Sequence, residues 1–105
     1  MKIVFCSALL AFSVSSFANI SRPANPSEVR AFCSAVKTVN DSHRSNYSID
    51  YKTCVQGKFQ STMTYVSGTV ITGKVPFLYP GERFFMVCSG SLQGTKFDLA
   101  SIDCQ

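Results

Sequence analysis

The cysteines do most to limit what this chain can fold into. Of five, Cys6 falls in an N-terminal stretch with a different purpose from the other four, Cys33, Cys54, Cys88 and Cys104. Met1–Ala18 reads as a secretory signal peptide. Lys2 supplies a short positive region, Ile3 to Val14 an apolar run, and Ser16-Phe17-Ala18 puts small residues at the two positions a signal peptidase inspects. The run gives way to a polar Asn19–Asn25 segment before reaching the roughly 20 apolar residues that a membrane span needs, so no span is expected. Export to the periplasm or beyond the cell leaves four cysteines in an oxidising compartment, and an even number there implies two disulfides. The remainder, Asn19–Gln105, is one small domain, short of core and suited to covalent staples.

The same cysteines argue against other chemistry. No Cys-x-x-Cys pair exists and His43 is the single histidine, which excludes the usual zinc and dithiol-redox spacings. Loss of Lys2 lowers the formal net charge of +4 by one. So mild a charge favours an acidic partner surface or weak attraction to anionic lipids over nucleic acid, which calls for a denser basic cluster. Arg30 and Lys37, seven residues apart, share one side of a helix and make a candidate binding stripe, although such stripes are commonly only a solvated face.

Asn25-Pro26-Ser27-Glu28 is the strongest local signal: a capping Asn, Pro at the first helical position, and Glu three residues after the cap. Val29, Phe32, Cys33, Val36 and Val39 follow at three- and four-residue spacing, which predicts an amphipathic helix of about four turns ending near Asn40-Asp41-Ser42. Beyond Tyr47 the composition turns to Val, Ile, Thr, Tyr and Phe. Tyr47 to Val55, Phe59 to Val66, Thr69 to Phe77, Arg83 to Ser89 and Lys96 to Cys104 read as strands. Gly57, Ser67-Gly68, Tyr79-Pro80-Gly81-Glu82 and Gln93-Gly94 punctuate them, and Ser89-Gly90-Ser91 also resembles a hairpin. Ser67-Gly68 is either a tight turn or a bulge in one long strand, giving five strands or four. The expected fold is therefore α+β: one N-terminal amphipathic helix packed on a four- to five-stranded antiparallel sheet, stapled by two disulfides. Four cysteines permit three pairings. Cys33 on the helix stripe faces the sheet and Cys88 lies in the most apolar strand, which favours Cys33 with Cys88 and Cys54 with Cys104; Cys33 with Cys54 is the alternative.

Catalytic chemistry has little to work with. His43 sits in the polar loop Asn40–Asn46, where Asp41 is its nearest acid, and adjacent residues rarely converge as a triad. The acids Glu28, Asp41, Asp50, Glu82, Asp98 and Asp103 are scattered, and the glycines form no phosphate-cradling loop. No catalytic residue, metal or cofactor is assigned. A secreted hydrolase or toxin acting on RNA through His43, Lys52 and Glu82 is the competing reading. Asn19-Ile20-Ser21, Asn40-Asp41-Ser42 and Asn46-Tyr47-Ser48 match the glycosylation acceptor pattern of a eukaryotic secretory route. For binding, Leu78 and Tyr79 place apolar groups at the Pro80-Gly81 turn, where they could anchor a partner, while Phe77 is assigned to the core.

Val75-Pro76-Phe77, Gly81, the aromatic strand Arg83 to Val87 and Cys88 resemble the colicin M immunity proteins and their YebF-like exported relatives, over roughly the last third of the mature domain. That family has a helix packed on an antiparallel sheet and one disulfide from the start of the helical region to a late strand, whereas this chain has four mature cysteines and places Cys33 within its helix. The resemblance implies protein binding in the periplasm or outside the cell, with toxin neutralisation as one form of it, and no catalysis. The reading that results is a small exported, non-catalytic domain that binds another protein, a toxin or envelope enzyme, as an inhibitor or immunity factor.

Overall fold

The computed structural model describes residues 20–43, 46–64 and 68–105. The signal segment and Asn19 lie outside the described residues, as do Arg44, Ser45 and residues 65–67. The helix α1, Pro26–Ser42, begins where the sequence places it. Asn25 Oδ1 accepts from the Glu28 amide at 2.8 Å, and Glu28 Oε1 accepts from the Asn25 amide at 2.9 Å. Two of the amide donors at the helix start are thereby satisfied. Val29, Phe32, Cys33, Ala35 and Val36 are buried, so the three- and four-residue spacing marks the packed face correctly. Val39 is only half-buried.

The helix covers one face of a seven-stranded antiparallel sheet. Its strands are β1 (Ile20–Pro23), β2 (Ser48–Ile49), β3 (Phe59–Thr64), β4 (Gly68–Tyr79), β5 (Glu82–Gln93), β6 (Lys96–Phe97) and β7 (Asp103–Cys104). The main order is β1-β3-β4-β5-β6, with β2 also on β4 and β7 also on β5. Two expectations are corrected: there are more than five strands, and α1 is not the first element, because β1 precedes it. Ile20-Ser21-Arg22-Pro23 has no alternation to announce a strand; it is recruited by β3, with Ser21 opposite Thr62 and Arg22 opposite Ser61. Thr64 lies opposite Gly68 in the β3–β4 pair, so the chain reverses there and the reading of one long bulged strand falls. β4 and β5 pair from Thr69–Leu92 to Tyr79–Glu82 and form the ribbon on which everything else is hung.

Tyr47 to Val55 is not a strand. After the short β2 it turns into a helical turn, α2, Tyr51–Cys54. Asp50 caps it: the Thr53 hydroxyl donates to Asp50 Oδ2 at 2.8 Å and the Thr53 amide to Oδ1 at 3.3 Å. An Asp followed three residues later by Thr is a helix-start signal that the β-branched and aromatic composition masked. That turn sets the disulfides. It lays Cys54 against α1, so Cys33 bonds to Cys54, and Cys88 bonds to Cys104, directly opposite it in the β5–β7 pair. The favoured Cys33–Cys88 and Cys54–Cys104 pairing is thus wrong, and the alternative of Cys33 with Cys54 is the one the fold adopts. Lys96 to Cys104 is broken as well. Asp98 Oδ1 accepts from the Ala100 amide at 3.1 Å and caps a 3-10 turn, Leu99–Ser101, between β6 and β7.

The core lies between α1 and the inner sheet face. The Phe32 ring meets Phe59 edge-on at 5.3 Å and Phe97 at 5.5 Å, with Ile71, Val75 and Cys88 fully buried around it. Gly90 is a mid-strand residue rather than a turn. A side chain there would collide with Ile102, and one at Gly73 would collide with the Phe59 ring; glycine is what lets these apolar groups close onto the ribbon.

Candidate functional site

The expected anchors Leu78 and Tyr79 stand at the free end of the β4–β5 ribbon. The reversal is made by Pro80-Gly81, with Gly81 at φ 86°, a conformation glycine adopts without cost. Tyr79 pairs with Glu82, and Leu78 lies opposite Arg83 on one side and Ser48 on the other. Both are accessible, Leu78 at 37% and Tyr79 at 42%, whereas Phe77 is buried at 3% as expected. The structure adds Tyr47, 43% exposed, whose ring lies 5.3 Å from those of both Tyr79 and Phe84. Phe84 in turn stacks on Phe77 at 5.7 Å. The aromatic series therefore runs without a break from the core to the surface. Reading Tyr47 as the start of a strand hid this role; an aromatic flanked by Asn46 and Ser48 was the available signal that it sits at the surface. A shallow depression of about 610 Å³ opens beside Leu78 and Tyr79, bordered by Asn46, Ser48, Gly81 and Arg83.

The end of the ribbon is held from below. Arg83 Nη2 donates to Asp50 Oδ2 at 2.7 Å, and the Asp50 amide donates to the Pro76 carbonyl at 3.0 Å. The Thr53 hydroxyl and amide, with the positive charge of Arg83, hold the Asp50 carboxyl below the ordinary carboxylate range against partial desolvation. A two-bonded ion pair lies at the start of α1, where Arg22 Nη1 and Nη2 donate to Glu28 Oε1 and Oε2 at 2.9 and 2.8 Å. Those bonds, aided by the Asn25 amide, hold the Glu28 carboxyl low and raise Arg22. Each cluster ties a helix start to a strand: Arg22 of β1 to Glu28 of α1, and Arg83 of β5 to the Asp50 cap of α2.

The remaining candidates are dispersed. Arg30 and Lys37 are exposed on α1, Lys37 Nζ pairs with Asp41 Oδ2 at 2.8 Å, and neither borders the depression beside Leu78 and Tyr79. His43 caps the C-terminus of α1, with Nδ1 2.9 Å from the Val39 carbonyl oxygen, to which it donates. It lines a cavity of about 200 Å³ with Val36, Asn40, Tyr47, Met86 and Asp103. Glu82 borders the other depression and Lys52 borders neither, so the trio expected of a hydrolase is not gathered in one place. Among the described residues no cluster of His, Cys, Asp or Glu could hold a metal ion, and no helix is long and apolar enough to cross a membrane. Comparison with protein-family models, curated proteins and solved structures finds no match to the chain.

Proposed function

We propose that this is an exported, non-catalytic domain that binds another protein, an inhibitor or immunity factor directed at a toxin or an envelope enzyme, and that Tyr47, Leu78 and Tyr79 are its anchors. The reading rests on one observation above the others: at the end of a ribbon whose base is clamped by Asp50, Thr53 and Arg83 stand three large apolar side chains, each more than a third exposed, with Tyr47 and Tyr79 in ring contact on one sheet face and Leu78 on the other. Rigid, part-exposed aromatics are what protein interfaces use as hot spots, because little conformational entropy is lost when they are covered. Two disulfides support export, since such bonds persist in oxidising compartments.

The test is capture from an envelope extract by the immobilised domain, followed by affinity measurement with the captured protein. The expected result is one specific partner whose binding weakens at least about tenfold in Leu78→Ala with Tyr79→Ala. The reading is lost if nothing is captured while a substrate panel, RNA included, shows turnover. A second reading as a small secreted hydrolase or toxin rests on His43 and Asp103 facing the same cavity; it requires that His43→Ala abolish that turnover without changing stability.

A further inference from the structure

The two disulfides close loops of similar length, their cysteines being 21 and 16 residues apart in sequence, so chain entropy does not tell them apart. Their surroundings do. Cys33 and Cys54 are both at 0% exposure, within the core that Val29, Phe32 and Val36 form, and they tie α1 to α2. In the other bond only Cys88 is at 0%. Cys104 is partly buried at the margin of the core and lines the cavity that His43 and Tyr47 also border. The second bond also joins strands that are already paired, since Cys88 and Cys104 are direct partners in β5 and β7. Val87 and Gln105, next along, exchange both backbone hydrogen bonds at 3.0 and 2.9 Å. Alternation therefore makes Cys88 and Cys104 a pair without backbone bonds, where side chains stand closest. The 3-10 turn before β7 is held separately: the Asp98 amide donates to the Ser91 carbonyl at 3.0 Å, and the Ser91 amide to Ser101 Oγ at 2.8 Å.

We propose that Cys88–Cys104 is a thiol-exchange site, opened by a dithiol reductant to release β7 from β5 while Cys33–Cys54 keeps α1, α2 and the rest of the sheet together. One thiol of the reductant, as thiolate, attacks Cys104 Sγ. The bond to Cys88 breaks, its electron pair goes to Cys88 Sγ, and Cys88 takes up the proton that the attacking thiol gave up. The reductant's second thiol then attacks the mixed disulfide, and Cys104 leaves with that thiol's proton. The reductant departs as a disulfide, and two electrons have passed to the protein. Selectivity comes from access: a thiol reaches Cys104 while the fold is closed, whereas Cys33 and Cys54 are reached only when the core opens. Because Cys104 and Tyr47 border one cavity, release of β7 removes a wall beside one of the proposed anchors. The site itself rests on burial and strand pairing alone and stands whether or not the protein-binding reading does.

Reduction of the oxidised protein by dithiothreitol under native conditions tests it, with acid quenching, alkylation in denaturant and peptide mapping of the labels. The expected product has Cys88 and Cys104 labelled and Cys33–Cys54 intact, and forms at least about tenfold faster than the fully reduced chain. Its circular dichroism stays that of the folded protein, and hydrogen exchange rises at the Val87 and Gln105 amides while the amides of α1 remain protected. In denaturant both bonds should open at similar rates, because access is then equal. Four labels appearing together in the native protein, or Cys33–Cys54 opening first, overturns the proposal. So does a preference that persists in denaturant, which places it in the local sequence rather than in the fold. Cys88→Ala combined with Cys104→Ala checks the release of β7: the variant is expected to stay folded, with Cys33–Cys54 as slow to reduce as in the wild type. Loss of its fold, or Val87 and Gln105 amides as protected as before, overturns that release.

Discussion

The two ends of the β4–β5 ribbon are made of the same strands and serve opposite ends. At the Ile71–Gly90 end the inner face is closed by α1: Phe32, Ile71 and Cys88 are at 0% exposure, and Gly73 and Gly90 admit neighbouring rings and methyls that any Cβ would push out. At the Tyr79–Glu82 end the ribbon is only partly covered, and Tyr47, Leu78 and Tyr79 stay 37–43% exposed. Order at the covered end comes from packing; at the open end it comes from a hydrogen-bonded acid–base clamp around Asp50. Stability is therefore concentrated at one end and recognition at the other, so substitutions at the two ends are expected to separate cleanly.

The sharpest way to break that separation is to empty the covered end. Phe32→Ala removes a fully buried ring held between Phe59 and Phe97 and is expected to cost about 3–5 kcal/mol in chemical denaturation. Replacing Cys33 and Cys54 together by Ser frees α2 from α1 and is expected to cost about 2–4 kcal/mol in the same assay. Gly73→Ala drives a methyl into the Phe59 ring and costs about 1–3 kcal/mol. If any of these three left the unfolding midpoint unchanged, the core would not lie where the burial puts it.

Acid sharpens the comparison, because each junction has one carboxylate held low. Glu28, lowered chiefly by Arg22, locks the start of α1; Asp50, lowered chiefly by the Thr53 hydroxyl, locks the base of the recognition end. A carboxylate depressed in the folded state binds its proton more readily when unfolded. Its stabilisation is thus full above the unfolded value, about 4, and is lost as pH falls through the folded value. Stability should be flat near neutrality and decline below about pH 4, with a shallower decline in both Glu28→Gln and Asp50→Asn. A decline of unchanged slope in both variants removes these two groups as its cause.

What could be read in the chain and what could not divide along the same lines. The helix was legible because its cap, its Glu and its apolar spacing are all local: Asn25, Glu28 and Val29 to Val36 lie within a few turns of one another. The Pro80-Gly81 reversal and its neighbours Leu78 and Tyr79 were legible for the same reason. β1 was not, because Ile20-Ser21-Arg22-Pro23 becomes a strand only through the edge that β3 offers it. The disulfide pairing was not legible, because Cys33 on the helix stripe and Cys88 in the most apolar strand point to each other. What decides for Cys33–Cys54 is the Asp50-capped turn Tyr51–Cys54, which lays Cys54 against α1. Tyr47 illustrates the other limit, since its contact with Tyr79 and Phe84 joins segments far apart in the chain that no spacing rule connects.

The smallest expected effect on stability carries the most information about function. Tyr79 is 42% exposed and its ring contact among the described residues, with Tyr47, lies at the surface, so Tyr79→Ala leaves the core packing intact and should cost about 1 kcal/mol. The same change removes the outermost member of the aromatic series and should reduce partner capture far more than stability. Asp50→Asn makes the contrasting case. It leaves all three anchors in place but weakens the hold on Arg83 and Thr53, so any loss of capture would come from a looser platform rather than from a missing contact. A drop in affinity for Tyr79→Ala that exceeds the drop for Asp50→Asn places recognition in the rings themselves. Equal drops would mean that the clamp, and the orientation it imposes on the ribbon, is what the partner reads.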